Sequence, residues 1–211
     1  MIKYEVLVMG ELQTNCYLVW DDSTKEAIII DAADDGVVIS EEIEKRDLKL
    51  KYILATHGHF DHNLGVLDLK LMYNIPFCAS EKDMFLLERQ KETAKYYLKI
   101  DIETPNLKKI DIDLDKEKEI KISNERLEII KTPGHTPGSI CFYSAKHNLL
   151  FSGDTIFKDS RGRTDFEYGS TEKIFESLRK LIKLPEDTTV LSGHGEETTI
   201  GSEKSKYTLK N

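Results

Sequence analysis

Residues 56–62 read Thr56-His57-Gly58-His59-Phe60-Asp61-His62. Three of the six histidines of the chain lie in this heptapeptide, beside an aspartate. Imidazole and carboxylate groups are ligands that suit Zn²⁺ and similar divalent metals. His57 and His59 can point at one ion from an extended loop, whereas Asp61 and His62 can face a second ion. The stretch follows an apolar run at 52–55, which predicts a buried strand that ends in a two-metal loop.

Further candidate ligands follow other apolar runs. Three residues share this setting and have a glycine directly before them: His135, Asp154 and His194. His135 stands between two Pro-Gly pairs, which predict a rigid loop. A carboxylate at Asp154 can bridge two ions. The remaining histidine, His147, lies in a polar turn, and we interpret it as solvent-exposed.

The composition narrows the class of protein. The chain has 211 residues, of which 39% are hydrophobic and 32% charged, as in globular proteins. Its net charge of −8 argues against a nucleic-acid partner, because an acidic surface repels phosphates. We find no signal peptide, no run approaching the ~18 apolar residues of a membrane span, and an odd set of three cysteines without CxxC. These features favour a cytoplasmic protein with reduced thiols.

Predicted strands and helices occur in both halves of the chain. Strands are expected at 2–8, 16–20, 26–31, 52–55 and 75–79, and later in EIKIS, LEIIKT, SICFYS, NLLFS and TTVLS. Helices are expected at 37–45, 62–72, 81–99 and 171–183, the last with Thr171 as its cap. No linker interrupts the pattern, so we predict one α/β domain, residues 1–211, with large sheets covered by helices.

The segment 81–117 carries the weakest pattern. It lies between the two sets of candidate ligands in sequence, and we predict that it serves as a lid. Tyr96 and Tyr97 are expected on a buried helix face rather than at a substrate entrance.

The ordered motifs THGHFDH, TPGHTPGS, SGDT and SGHG resemble those of the metallo-β-lactamase superfamily. The resemblance covers nearly the whole chain and implies a four-layer αββα sandwich of two mixed β-sheets flanked by helices, with metals at one edge. It assigns the first metal to His57, His59 and His135 and the second to Asp61, His62 and His194. Asp154 would bridge the two ions, and Asp61 is also the candidate catalytic carboxylate.

Three longer stretches narrow the resemblance. GELQTNCYLV, GDTIFKDSRGRTDFEYGS and GHGEETTIGSEK are similar to the small glyoxalase II-like members, which hydrolyse acylated glutathione thioesters. Two-domain glyoxalase II enzymes hold glutathione with a C-terminal helical domain. Only 17 residues follow His194, so we expect that domain to be absent. The expected substrate is a small-molecule thioester, with glutathione as the candidate thiol.

The expected mechanism uses two divalent metal ions, with zinc favoured and iron or manganese as alternatives. Two adjacent cations lower the pKa of a shared water towards about 7, and the resulting bridging hydroxide would attack the thioester carbonyl. A thiolate leaves without a strong acid. No cysteine lies in a candidate ligand loop, so we expect none to act as a nucleophile.

Residues beside the ligands have two interpretations each. Arg161 and Arg163 are candidates for binding a substrate carboxylate, or they form structural pairs with Asp159 or Asp165. Four hydroxyl residues that flank the ligands either orient the imidazoles or only cap turns: Thr56, Ser152, Thr155 and Ser192.

Three other functions remain open. The first is a persulfide dioxygenase with one iron on His57, His135 and Asp154, the pattern of non-haem iron oxygenases. The second is another hydrolase on the same site, such as a lactonase, phosphodiesterase or β-lactamase. The third is a metal-binding scaffold or sensor without turnover.

Overall fold

A computed structural model describes residues 1–99 and 101–208 of the chain. The first part of the chain contains these elements: β1 (Ile2–Met9), β2 (Thr14–Asp21), β3 (Glu26–Ile30), α1 (Gly36–Lys45), β4 (Lys49–Leu54), α2 (Val66–Tyr73), β5 (Phe77–Ala79), α3 (Met84–Leu87), α4 (Gln90–Leu98) and β6 (Ile112–Asp113).

The second part contributes fewer helices. Its elements are β7 (Glu119–Ile122), β8 (Glu125–Lys131), β9 (Ile140–Ser144), β10 (Leu149–Gly153), β11 (Ile156–Phe157), β12 (Ser160–Arg161), α5 (Thr171–Leu181), β13 (Thr189–Ser192), β14 (Thr198–Thr199) and α6 (Ile200–Tyr207).

Two six-stranded sheets form the centre of the fold. The first has the order β1-β2-β3-β4-β5-β6, and the second has the order β14-β13-β10-β9-β8-β7. Both sheets are mixed: β3, β4, β5 and β6 run parallel in the first, and β10 pairs in parallel with β13 in the second. The predicted mixed sheets are therefore confirmed.

The core is layered because neighbouring residues of a strand point to opposite faces of its sheet. Val19 and Ile28 pack with Phe142 and Phe151 between the two sheets. The next residues along the same strands, such as Leu18, face the helices α1 and α2 instead. The outer face of the second sheet packs against α5 and α6. This is the expected four-layer αββα sandwich.

Helix α5 differs slightly from its predicted bounds. Ser170, not Thr171, is the N-cap, and its side chain accepts a hydrogen bond from the amide of Lys173 at 3.3 Å. The helix ends at Leu181, two residues early. The predicted helix 81–99 is divided into α3 and α4 after a short 3-10 turn at 81–83. Within the described residues, no helix has the length and apolar character needed to cross a membrane.

The sandwich brings several strand ends to one edge. β4 ends before the heptapeptide at 56–62, and β3 ends directly before Asp31. In the second sheet β8, β10 and β13 point the same way and end before His135, Asp154 and His194. Side chains that are distant in sequence therefore meet at this edge.

Candidate metal centre

Three histidines form one cluster, called here the imidazole half-site. Nε2 of His57 and Nε2 of His135 each lie 3.0 Å from Nδ1 of His59. Ligand atoms around a tetrahedral Zn²⁺ at about 2.0–2.1 Å are separated by roughly 3.3 Å. The three nitrogens are therefore spaced much as three ligands of one ion.

Asp61, His62 and His194 form a second cluster, the carboxylate half-site. Oδ2 of Asp61 lies 3.4 Å from Nε2 of His194 and 3.5 Å from Nε2 of His62. Thr14 donates a hydrogen bond to the same oxygen at 3.0 Å. These three residues can offer ligand atoms within 4.8 Å of one another.

Asp154 lies between the two half-sites. Its Oδ1 is 3.5 Å from Nε2 of His62, and its Oδ2 is 3.5 Å from Nε2 of His135 and 3.7 Å from Nε2 of His194. A carboxylate with one oxygen near each cluster has the geometry of a bridging ligand. The structure thus brings together all seven residues that the sequence singled out as metal ligands.

Two buried atoms in the centre test whether a metal fits. Nε2 of His62 and Oδ1 of Asp154 are buried without a hydrogen-bond partner among the described residues. Buried polar groups nearly always have a partner, so such an atom needs an explanation. Both atoms point into the space between the clusters and are good ligands for a divalent cation. The residues present therefore fit a metal.

The two half-sites differ in electrostatics. Burial, reinforced by the neighbouring imidazoles, lowers the pKa of His57 well below its usual value and that of His59 to about 3. Burial also lowers the pKa of His62, but the carboxylates of Asp61, Asp31 and Asp154 outweigh it and raise that pKa to about 10. The carboxylate half-site thus attracts positive charge strongly, whereas the imidazole half-site offers neutral lone pairs.

Hydrogen bonds to the far ring nitrogens orient several imidazoles. Nδ1 of His62 donates to Asp31 at 2.8 Å, and Nδ1 of His135 donates to the carbonyl of Arg163 at 2.8 Å. His194 makes the same kind of bond to the carbonyl of Leu12 at 3.1 Å. With Nδ1 committed to these bonds, Nε2 of each ring is the nitrogen that faces the centre and can bind a cation.

His59 is held differently. Its Nδ1 faces the centre, and its Nε2 is 2.8 Å from the hydroxyl of Tyr168. Of the four flanking hydroxyl residues, Thr56 lies 3.1 Å from Nδ1 of His57. Ser152 and Ser192 bond to backbone carbonyls, and Thr155 bonds to Thr132. The orienting role is thus supported for Thr56, and a loop-fixing role for the other three.

Asp31 is a residue that the sequence analysis missed. It is 1% exposed and binds the amide of Thr56 at 2.7 Å, the hydroxyl of Thr56 at 2.8 Å and the ring of His62. Its backbone has a φ of 59°, a conformation that residues other than glycine rarely adopt. Asp31 directly follows an apolar run, so the rule that identified the candidate ligands also applies to this residue, which supports them.

Asp83 is a second missed residue. Its buried carboxylate accepts hydrogen bonds from the amide of Gly58 at 2.9 Å, the amide of Gly138 at 2.7 Å and the hydroxyl of Thr136 at 2.6 Å. It thereby ties the loop that holds His57 and His59 to the loop that holds His135. Nothing in the charged segment around it indicated this role.

Strand β2 supports the last ligand loop. The side chain of Asn15 donates to the carbonyl of Ser192 at 2.9 Å and of Gly195 at 3.0 Å, and the hydroxyl of Tyr17 donates to Ser192 at 2.6 Å. A Cβ at Gly193 would overlap Oδ1 of Asp154 and crowd the ring of His62. Only glycine lets this loop approach the centre so closely.

The two candidate substrate-binding arginines lie near the centre without entering it. Arg163 forms a bidentate pair with Asp165 at 2.6 and 2.7 Å and stacks 4.5 Å over the ring of Phe166. This is one of the structural pairs considered from the sequence. Arg161 lies over the ring of Phe175 at 4.9 Å.

Two other predictions are wrong. Tyr96 and Tyr97 are 68% and 49% exposed, because α4 buries its opposite face through Gln90 and Ala94. His147 is half-buried rather than solvent-exposed, since its Nε2 is held 3.0 Å from the buried carboxylate of Glu125.

The three cysteines are free and buried. Burial raises the pKa of Cys16 and Cys78 to about 12 and that of Cys141 to about 11. Because the thiolate is the reactive form, these environments fit the expectation that none is a nucleophile.

Two cavities flank the centre. The aromatic cleft, about 740 Å³, is lined by residues of α3, α4 and the segment Phe166–Tyr168. The acidic cavity, about 350 Å³, lies beside Asp61 and is lined partly by the β1–β2 turn. Segment 81–117 thus contributes a wall beside the site, and its movement as a lid stays a prediction.

Comparison with known proteins agrees with this geometry. Residues 9–194 match the metallo-beta-lactamase superfamily. The chain is 39% identical to hydroxyacylglutathione hydrolase GloC of Haemophilus influenzae, over 96% of this chain and 95% of that protein. Among solved structures, the B3 metallo-beta-lactamase BLEG-1 is 35% identical with a TM-score of 0.88, covering 97% of each chain. TTHA1623, solved in a di-iron-bound form, is 30% identical with a TM-score of 0.83, over 94% of this chain and 96% of that one. The chain therefore belongs to the metallo-beta-lactamase superfamily, as a glyoxalase II-like metal-dependent hydrolase.

Proposed function

We propose that this chain hydrolyses acyl-thioesters, such as hydroxyacylglutathione, at a centre of two divalent metal ions, and that residues 1–211 act as one domain. The observation that carries the proposal is the convergence of five imidazoles and two carboxylates into two clusters that share Asp154. The name of the Haemophilus relative supports the choice of substrate.

Each half-site has a distinct part in the proposal. His57, His59 and His135 would hold one ion, and Asp61, His62 and His194 would hold the other, with Asp154 between them. Two such cations lower the pKa of water towards neutrality and polarise a carbonyl group. The ionised state of Asp61 suits a ligand better than a proton donor, because the imidazoles of His62 and His194 outweigh burial and lower its pKa.

The protein's own groups keep the site ready for this chemistry. Asp31 and the carbonyls of Leu12 and Arg163 fix the rings of His62, His194 and His135, so little reorganisation is needed when substrate arrives. The leaving thiolate is stable near neutral pH, so the proposal needs no protonated side chain beside it.

Elemental analysis with turnover assays tests the proposal. We expect about two ions per chain and hydrolysis of lactoylglutathione at equal rates with and without oxygen. One iron per chain, with oxygen consumed on glutathione persulfide, would instead support the dioxygenase. Two bound ions without turnover of thioesters, lactones or phosphodiesters would support the non-enzymatic scaffold.

β-Lactam hydrolysis is a second candidate function. It is favoured by the 35% identity to a structure described as a B3 metallo-beta-lactamase. Both reactions are attacks on a carbonyl, so the same centre suits either. Comparing kcat/KM for nitrocefin and lactoylglutathione on one preparation decides between them, and we expect the thioester to be preferred.

A further inference from the structure

The aromatic cleft opens directly beside the imidazole half-site. Tyr168 lines it and bonds to His59, and the ring of Phe166 lies 5.2 Å from that of His59 and 5.7 Å from that of His135. Its volume of about 740 Å³ falls within the range of small-molecule sites. A molecule held here places its end within reach of the metal ligands.

Aromatic rings form the walls of the cleft. Phe166 and Tyr168 stack at 5.3 Å on one side, and Phe85 meets Tyr168 edge to face at 5.4 Å. Tyr96 and Tyr97, both largely exposed, line the other side. Exposed aromatic residues grouped around a concave surface are typical of a binding site.

The cleft also carries charges of both signs. Arg89 lines it and, within residues 1–99 and 101–208, its guanidinium forms no ion pair or hydrogen bond. Glu92 and Glu167 line the same cleft. A ligand with a carboxylate and an ammonium group finds an opposite charge for each.

The acidic cavity on the other side of the centre has different chemistry. Its lining contains the acids Glu11, Asp34 and Asp61 and, among the residues described, no arginine or lysine. Its volume is about half that of the aromatic cleft. The acidic lining repels a carboxylate, whereas a small uncharged acyl group can enter this cavity.

We propose that the aromatic cleft binds the thiol half of the substrate and selects an amino-acid-derived, zwitterionic thiol, with its carboxylate on Arg89 and its ammonium on Glu92 or Glu167. The acyl group then extends towards the acidic cavity. This inference rests on the proposed thioester hydrolysis and adds which thiols are accepted and by which residues.

Two substrates with the same acyl group test the inference. Lactoylglutathione carries carboxylates and an ammonium group, and S-lactoyl-N-acetylcysteamine carries neither. We expect R89A to raise KM for lactoylglutathione about tenfold, with kcat within about twofold, because it removes a charged hydrogen bond. R89K keeps the positive charge and should therefore raise KM less than R89A does. The uncharged thioester should be turned over equally by R89A and wild type.

Matched controls separate this effect from general damage. Arg179 is exposed on α5 and lines neither cavity, so R179A should change neither substrate. Because Arg89 is exposed, R89A should keep the melting temperature of the wild type. Calorimetry with S-methylglutathione provides a readout without turnover, and its Kd should rise about tenfold in R89A alone.

The outcomes are distinct. Equal changes for both substrates in R89A, or an unchanged Kd for S-methylglutathione, would overturn the role of the cleft. Wild-type turnover of the uncharged thioester with no preference for lactoylglutathione would do the same while leaving thioester hydrolysis intact. Failure to hydrolyse either thioester with two ions bound would overturn the proposed function itself.

Discussion

The two half-sites of the metal centre would each bind a cation, but the groups around them differ in charge. The imidazole half-site contains His57 and His59, whose pKa values are lowered by burial and by the neighbouring imidazoles. The carboxylate half-site surrounds His62 with Asp61, Asp31 and Asp154, which raise its pKa to about 10. In the first half-site a cation binds rings that are already neutral at His57 and His59, whereas at His62 in the second it replaces a proton.

This difference teaches that the two ions depend on their surroundings in different ways. In the carboxylate half-site, charge neutralisation drives binding, and removing a carboxylate should be costly. In the imidazole half-site, ring orientation matters more, since neutral ligands bind only when their lone pairs converge. The following variants probe the two halves separately.

The largest effect is expected for the residue that both halves share. D154N removes the charge between the half-sites and should lower kcat/KM about a thousandfold, with fewer than two ions bound per chain. Steady-state kinetics and elemental analysis measure both effects. Retention of two ions with nearly normal turnover would show that Asp154 does not couple the half-sites.

A smaller effect is expected for Asp31, which contacts the carboxylate half-site directly at His62 and the imidazole half-site only indirectly, through Thr56 beside His57. D31N should weaken binding of one ion about 10- to 100-fold, while the other remains bound. Competition with chelators measures the two affinities. Asp47 is an exposed aspartate that also has a positive φ, of 54°, so D47N is the matched control and should bind both ions normally. Loss of both ions in D31N would contradict the separation of the half-sites.

Tyr168 provides the corresponding test of the imidazole half-site. Y168F removes the hydroxyl bound to His59 but keeps the ring in the aromatic cleft. It should weaken the binding of one ion about three- to tenfold, as expected for the loss of a neutral hydrogen bond. Y96F, at an exposed tyrosine, should leave the affinity for both ions unchanged. An effect as large as that of D31N would mean that the two halves do not differ as described.

The smallest effect is expected for residues outside both half-sites. The triple variant C16A/C78A/C141A should turn over substrate within about twofold of the wild type per folded, metal-loaded molecule, because buried neutral thiols are poor nucleophiles. Its melting temperature should fall, since buried side chains are shortened. Loss of turnover with both ions retained would reveal a role for a thiol.

The strand-end rule explains how much of the site was predictable from sequence. Apolar runs of four to six residues bounded by turn signals favour buried strands, and the polar residues that follow strands running in the same direction reach the same edge of a sheet. That reasoning located His135, Asp154 and His194 beside the heptapeptide, and it would have located Asp31 as well.

Helical segments were less informative. The composition of 81–99 predicts helix but not which face is buried, and α4 packs through Gln90 and Ala94 rather than its tyrosines. The role of Asp83 depends on two loops that are distant in sequence, so no local pattern could indicate it. The resemblance supplied the grouping of ligands into two sets, and the distances between their atoms required coordinates.

Each sheet is formed by one continuous stretch of chain, residues 2–113 for the first and 119–199 for the second. The connection between them exposes Lys116 and Glu117, and a cut there leaves His57 and His62 on one fragment and His135 on the other. The protein is thus suited to fragment complementation. Neither fragment contains all seven candidate ligands. Metal binding by the two co-expressed fragments would therefore show that they had reassembled.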